Sequence, residues 1–322
     1  LEAAGVQMFP LGGTDRFGLG ALWRLGRLVR SERFDVVHAH GPLPASAVRV
    51  LPMAEVVVTT AHTIWSSLRW STRVLWRLTA WRDGATLAVS SAVAESLPTR
   101  ASERTTVLPH GIDMQAISEV RSVARAGSPD EVVAVCVASH RDVKNYPNLL
   151  RAAAIARRDA PSLRLLAVGD GPDVERHRLL AVDLGIDEMV QFVPATLDVL
   201  STIASADMLV VASDFEGQPL VVMEAMALGL PVVATAVGRV PELVTPSAGR
   251  IVTPGDSSAL AGALVELANA PELRRNLGDQ ARASSGTWTL EEVVDAHLRL
   301  YGSLLDDRRS NRNDVADRPR SP

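Results

Sequence analysis

The sequence predicts an α/β chain of two domains, each built on a parallel sheet. Three observations point there. Short apolar runs alternate with amphipathic stretches along most of the chain, the pattern of strands buried on both faces and joined by helices. The 322 residues suffice for two such domains. A stretch containing Gly, Ser and Pro, with residues 116–130 as the linker proper, separates the two α/β halves.

In the first half, 1–5 reads as a helix end closed by Gly5, and 6–11 as a strand. Residues 19–31 form an amphipathic helix, 35–39 a short buried strand, 45–51 a helix and 56–60 a second buried strand. Residues 85–89 form a strand followed by Ser90-Ser91 and a helix, and Asp113 caps a helix or turn. In the second half, 132–138, 163–168, 190–193, 208–212, 231–235 and 248–252 read as strands. Helices are expected at 198–204, 219–228, 256–269, 271–283 and 290–305. Residues 306–322 lack apolar content and are expected to be disordered. The domain boundaries are therefore 1–115, 131–289, a last helix at 290–305 and a tail.

Composition narrows the partners. A net charge of −4 leaves no general nucleic-acid footprint. Cys136 is the single cysteine and lies in an apolar strand, so no disulfide framework or Cys-based metal site is available. No apolar run reaches the length of a membrane span, and no signal peptide is visible. The chain begins at Leu1 inside what reads as a helix end, which is expected of a fragment, the alternative being a protein that has lost its opening element.

The chemistry concentrates at 213–243, S-D-F-E-G-Q-P-L-V-V-M-E-A-M-A-L-G-L-P-V-V-A-T-A-V-G-R-V-P-E-L. This is a strand–turn–helix–strand unit. Pro219 suits the first helical turn and Gly229 the helix C-terminus. The free N–H groups near Leu220 and Val221 face the loop after a strand, where an anion such as phosphate is favoured. Glu216 precedes that helix and Glu224 lies more than a turn inside it. A carboxylate repels phosphate but accepts hydrogen bonds from neighbouring hydroxyls, as on a sugar. Upstream, Arg141 and Lys144, the only lysine, flank the start of another helix. Cations there oppose the helix dipole unless an anion lies between them, so they suit a diphosphate. The bland alternative makes Glu216 a helix-start acid and Glu224 a partly buried residue with a structural partner.

The run from Glu216 to Glu224, with E-A-M-A-L-G-L-P-V-V-A and the later P-E-L, closely resembles the E-x7-E signature of glycosyltransferase family 4. The resemblance implies a retaining enzyme of the GT-B fold, with two Rossmann-like domains facing across a cleft. The first domain would lack its opening strand, Gly-rich loop and helix, and the last helix would cross back onto it. It implies that Arg141, Lys144 and the helix N–H groups stabilise a leaving diphosphate, that Glu216 holds donor-sugar hydroxyls and that Glu224 reads the ribose. Gly217 and Gln218 would line the donor, and Gly169, in Gly169-Asp170-Gly171-Pro172, would turn tightly beside the nucleotide. His62, after the 56–60 strand, would lie near the donor sugar and share the catalytic assignment with Glu216. A Gly usual after 190–193 is replaced by Pro194-Ala195, which leaves base recognition open.

The implied function is transfer of a sugar from a nucleoside-diphosphate sugar to an acceptor hydroxyl, in cell-surface polysaccharide or glycolipid synthesis, with no metal and no cofactor. The alternatives are a non-catalytic nucleotide-sugar-binding protein and another enzyme of the fold, such as an epimerase. The expected location is cytoplasmic. His38 and His40 have metal-pair spacing but no evident third ligand. Residues 65–82 interleave Trp65, Trp70, Trp76 and Trp81 with four arginines and no acid. Such a helix either lies peripherally on an anionic membrane or greets an anionic acceptor, or it buries its Trp residues and leaves Arg in water.

Overall fold

The computed structural model describes residues 5–11, 19–50, 56–103, 105–120, 123–287 and 289–316. The chain forms two compact units, Leu1–Leu108 with Val294–Pro322, and Pro109–Val293.

The first unit holds a four-stranded parallel sheet in the order β1 (Val36–His40), β2 (Val56–Ala61), β3 (Ala85–Ala88) and β4 (Thr105–Val107). All but the last residue of β2 are buried, as a central parallel strand covered on both faces requires. Val56, Val58 and Leu87 pack against Leu300, Tyr301, Leu304 and Leu305 of the last helix, Leu290–Ala316. On the Pro42–Val50 helix, Arg49 is fully buried. It pairs with Asp83, donates to Thr59 and lies 5.2 Å from the Trp76 ring. Residues 6–11, read as a strand in the sequence, form none, and the helix end expected at 1–4 lies outside the described residues.

The second unit holds a six-stranded parallel sheet. Its strands are β5 (Val132–Val137), β6 (Leu163–Val168), β7 (Val190–Val193), β8 (Met208–Val211), β9 (Val232–Thr235) and β10 (Gly249–Val252), in the order β10-β9-β8-β5-β6-β7. Alternate residues serve two cores. Val132, Ala134 and Cys136 join Tyr146, Leu149 and Leu264 on one face, while Val133 and Val135 join Ile203, Met223 and Met226 on the other. The chain winds outward from β5 to β7, then returns to lay β8 on β5's other side. The order therefore reverses between β5 and β8, and the loops leaving the C-terminal ends of these two strands border the crevice where open α/β sheets bind ligands.

Two boundaries differ from the sequence reading. The expected linker opens with a helix, Met114–Glu119, capped by Asp113 through the Ala116 N–H at 2.8 Å and anchored by buried Ile117. Arg125 pairs with Asp207, and Ala126 N–H donates to the Ser205 carbonyl. The segment thus belongs to the second unit. At the other end, the last helix passes Leu305 and continues to Ala316, so the disorder expected from residue 306 does not hold over 306–316.

Candidate functional site

Four loops at the C-terminal ends of β6, β5, β8 and β9 are stitched together. After β5, Asn145 takes a left-handed conformation (φ 44°) and caps the Tyr146–Ala156 helix through the Asn148 N–H. The same side chain donates to Asp214 at 2.7 Å, and Asp214 N–H donates to the Val143 carbonyl at 3.0 Å. The β5 and β8 loops are therefore locked across the switch point. Gly169 permits the β6 loop to join them: at φ 148° a Cβ there would lie 2.1 Å from the Ala138 carbonyl oxygen. Gly238, at φ 52°, brings the β9 loop so close that a Cβ would meet the Glu216 carbonyl oxygen at 1.9 Å. Arg239 N–H then donates to the Gly217 carbonyl.

Within this cradle the structure joins two residues to which the sequence reading gave separate tasks. Lys144 Nζ donates to Glu216 Oε1 at 2.6 Å, and Ser213 Oγ donates to the same oxygen at 2.7 Å. Ser213 is buried and fixed in turn by Thr235, whose hydroxyl donates to its carbonyl at 2.6 Å. Arg141 is exposed on the same loop as Lys144, and its side chain has no hydrogen-bond or ion-pair partner among the described residues.

The helix after β8 is Leu220–Ala227, and Pro219 is its N-cap rather than its first residue. No side chain caps it. Val222 N–H makes the first bond, to the Pro219 carbonyl, which leaves the N–H groups of Leu220 and Val221 without acceptors among the described residues. The helix closes as expected at Gly229, where Gly229 N–H reaches Met226 and Leu230 N–H reaches Ala225. Glu224 is partly buried, and its carboxylate has no partner among the described residues. Burial alone raises its pKa. The structural partner that the bland reading gives Glu224 is thus absent among those residues.

The Gln218 amide accepts from His110 N–H at 2.7 Å and donates to the His110 carbonyl at 3.1 Å and to Met223 Sδ at 2.9 Å. Both ends of a buried amide are occupied, so Gln218 holds the start of the second unit. Gly169 is likewise a backbone joint, its N–H donating to the Val193 carbonyl.

Two histidine groups stand out. Beside the cradle, His140 is buried, stacks on Tyr146 at 3.9 Å and places Nδ1 2.9 Å from His177 Nδ1. Burial, reinforced by His177, pushes His140 down to about 4. In the first unit, His62 lies 3.0 Å from His40 through their ring nitrogens. His38 stacks on His40 at 4.4 Å and bonds Thr60 and Tyr301 at 2.7 and 2.6 Å. Burial pushes His38 down to about 4, with His40, His297 and His62 adding to it. Among the described residues no three His, Cys, Asp or Glu side chains converge as metal ligands. Sequence reading missed Ser213, Gly238, His140, His177, His297 and Tyr301. Only Ser213 left a signal, as a hydroxyl three residues before Glu216.

Chemically, the cradle combines two cations and two unbonded N–H groups, which favour an anion, with two carboxylates able to accept hydroxyls. The family model described as "Glycosyl transferases group 1" matches residues 122–284. The model described as "Glycosyltransferase Family 4" matches residues 3–116. The chain is 35% identical over 228 residues to a D-inositol 3-phosphate glycosyltransferase of Saccharomonospora viridis, covering 66% of this chain and 52% of that one. It is 30% identical over 189 residues to the N-acetyl-alpha-D-glucosaminyl L-malate synthase of Bacillus anthracis, covering 58% and 49%. The chain thus spans about half the length of these curated relatives. Anabaena Alr3699/HepE, solved in complex with UDP-glucose, matches with a TM-score of 0.78 at 20% identity over 89% of this chain and 84% of that chain. Sucrose-phosphate synthase from Thermosynechococcus elongatus matches at 0.77 and 22%, over 89% and 79%. Each unit is Rossmann-like, and the fold class is GT-B.

Proposed function

Because the chain belongs to the group 1 glycosyl transferases, we propose that it moves a sugar from a nucleoside-diphosphate sugar to an acceptor hydroxyl with retention of configuration. The observation that carries this reading is the Lys144–Glu216 pair at the switch point, beside an uncapped helix N-terminus. As the bond from anomeric carbon to phosphate oxygen breaks, charge grows on the leaving diphosphate. Lys144, Arg141 and the Leu220 and Val221 N–H groups are the donors suited to stabilise it. Glu216 accepts from sugar hydroxyls with Lys144 and Ser213 fixing its carboxylate, and Glu224 accepts from the ribose. The acceptor hydroxyl attacks on the face that the diphosphate leaves and gives its proton to it. In this reading side-chain cations replace a metal, and transfer survives EDTA. His62 is assigned to the catalytic step from the family resemblance.

The solved complexes of HepE with UDP and UDP-glucose make UDP-sugars the first donors to screen. The relatives also include a phosphatidylinositol monomannoside mannosyltransferase of Corynebacterium glutamicum, which supports a glycolipid or polysaccharide acceptor and a cytoplasmic site of action at a membrane. The test is transfer and donor binding by Lys144→Ala and Glu216→Ala. Each is expected to lose transfer by about 100-fold or more, with an unchanged circular dichroism spectrum. Full turnover by both variants would sink the assignment. Donor binding with no turnover by the parent protein would favour the non-catalytic alternative.

A further inference from the structure

The helix Trp70–Thr79 is built the wrong way round for a surface helix. Its inner face buries Thr72, Trp76 and Thr79. Trp76 packs edge-on against Trp65 at 5.2 Å, and both join Leu97 in one cluster. The opposite face of such a helix is ordinarily polar. Here it is apolar: Trp70 is 74% exposed, Val74 45%, Leu78 67% and Trp81, in the turn that follows, 78%. Positions 70, 74, 78 and 81 fall at i, i+4, i+8 and i+11, so these side chains form one stripe. Single exposed apolar residues need no explanation, but a contiguous stripe with a Trp at each end does.

Arginines border the stripe. Arg73 and Arg77 run along one edge of it, Arg69 precedes the helix and Arg82 follows Trp81, and no acid occurs from Trp65 to Arg82, in a chain of net charge −4. Arg73 Nε is shut off from water without an acceptor, while Arg82 lies over the Trp81 ring at 5.6 Å. The Pro42–Val50 helix touches both this helix and Leu19–Glu32. That first helix adds exposed Trp23 and three arginines, Arg24, Arg27 and Arg30, with no acid before Glu32.

Charge decides the occupant. A second copy of this face would set arginine rows against each other with no acid to answer them. A nucleic acid would leave Val74 and Leu78 against phosphates. An anionic bilayer meets both halves of the pattern: indoles favour the interface, aliphatic side chains reach the acyl boundary, and guanidinium groups pair with lipid phosphates. Ten helical residues rise about 15 Å, too short to span a membrane, so the helix would lie in its plane.

We propose that the outward face of the Trp70–Thr79 helix seats the protein on an anionic lipid surface. The inference stands on the first unit alone and does not depend on the reading of the second. The test is co-sedimentation of the full chain with phosphatidylcholine vesicles with and without about 30% phosphatidylglycerol. The parent protein is expected to bind only the anionic vesicles, with blue-shifted Trp emission and binding that weakens with salt. Trp70→Ala/Trp81→Ala is expected to weaken binding by about 10-fold or more while leaving UDP-sugar binding and circular dichroism unchanged. Arg73→Gln/Arg77→Gln is expected to remove the preference for anionic lipid. No binding to anionic vesicles, or equal binding by parent and both variants, would overturn the proposal. So would a concentration-dependent dimer, or RNA binding, that the Trp variant abolishes in the absence of lipid binding.

Discussion

Glu216 and Glu224 are seven residues apart and live in different electrostatic surroundings. Glu216 Oε1 has a cation and a hydroxyl at hydrogen-bond distance, whereas Glu224 has neither and is desolvated. Neutralising Glu224 therefore removes a cost of folding while removing an acceptor for ligand hydroxyls. Glu224→Gln is expected to raise thermal stability slightly, by up to about 1 kcal/mol, and to weaken nucleotide-sugar binding by about 10-fold. Calorimetry with UDP-sugars and a melting curve check both halves, and a loss of stability without a change in affinity would contradict the assignment. Arg141, Lys144, Glu216 and Glu224 stood out in the sequence because each sits in a short run that resembles the family signature, whereas the donation from Lys144 to Glu216 left no mark there. The contacts of Gln218 with His110 were hidden because His110 lies in a segment that periodicity treats as unrelated. The buried Arg49–Asp83 pair was invisible for the same reason: nothing local marks an arginine as buried.

At the scale of elements, the parallel strands were the most legible, since burial on both faces writes them as apolar runs. The misses fall where tertiary contacts outweigh composition. Gly, Ser and Pro between 114 and 130 read as a linker, yet one buried Ile and an Asp cap order the Met114–Glu119 helix. Loop-to-loop packing was equally hidden, although it shapes the cradle. Gly238 is the test of that packing, with its positive φ and no space for a Cβ beside the Glu216 carbonyl. Gly238→Ala must move the β9 loop, the β8 loop or both. The expected cost is about 1–3 kcal/mol of stability, with a fall in donor affinity larger than in Glu224→Gln. Ser213→Ala, which leaves the backbone in place, serves as the comparison. A Gly238→Ala protein with parental melting temperature and donor affinity would show that the β9 loop does not set the position of Glu216.

Across the whole molecule, each unit carries a desolvated histidine beside a second histidine, half-buried His38 in the first and buried His140 in the second. His38 in the first and His140 in the second are both pushed down from 6.5 to about 4, with burial the largest cause. A histidine whose folded pKa is depressed leaves the unfolded chain binding more protons between those two values. Stability is therefore intact above about pH 6.5, falls as the pH drops towards 4, and levels off below that. For His140, which is almost wholly buried, the loss across this window is on the order of 2–3 kcal/mol. The acid-sensitive step in the second unit should report on the same loop that carries Arg141 and Lys144, because His140 N–H donates to the Asp170 carbonyl and its ring stacks on Tyr146. Melting temperatures between pH 4 and 8 are expected to fall below pH 6.5 in the parent, and His38→Gln and His140→Gln are each expected to flatten the part of the fall belonging to their own unit. A melting temperature constant from pH 7 to pH 5, or a slope unchanged in both variants, would remove the histidines as its cause.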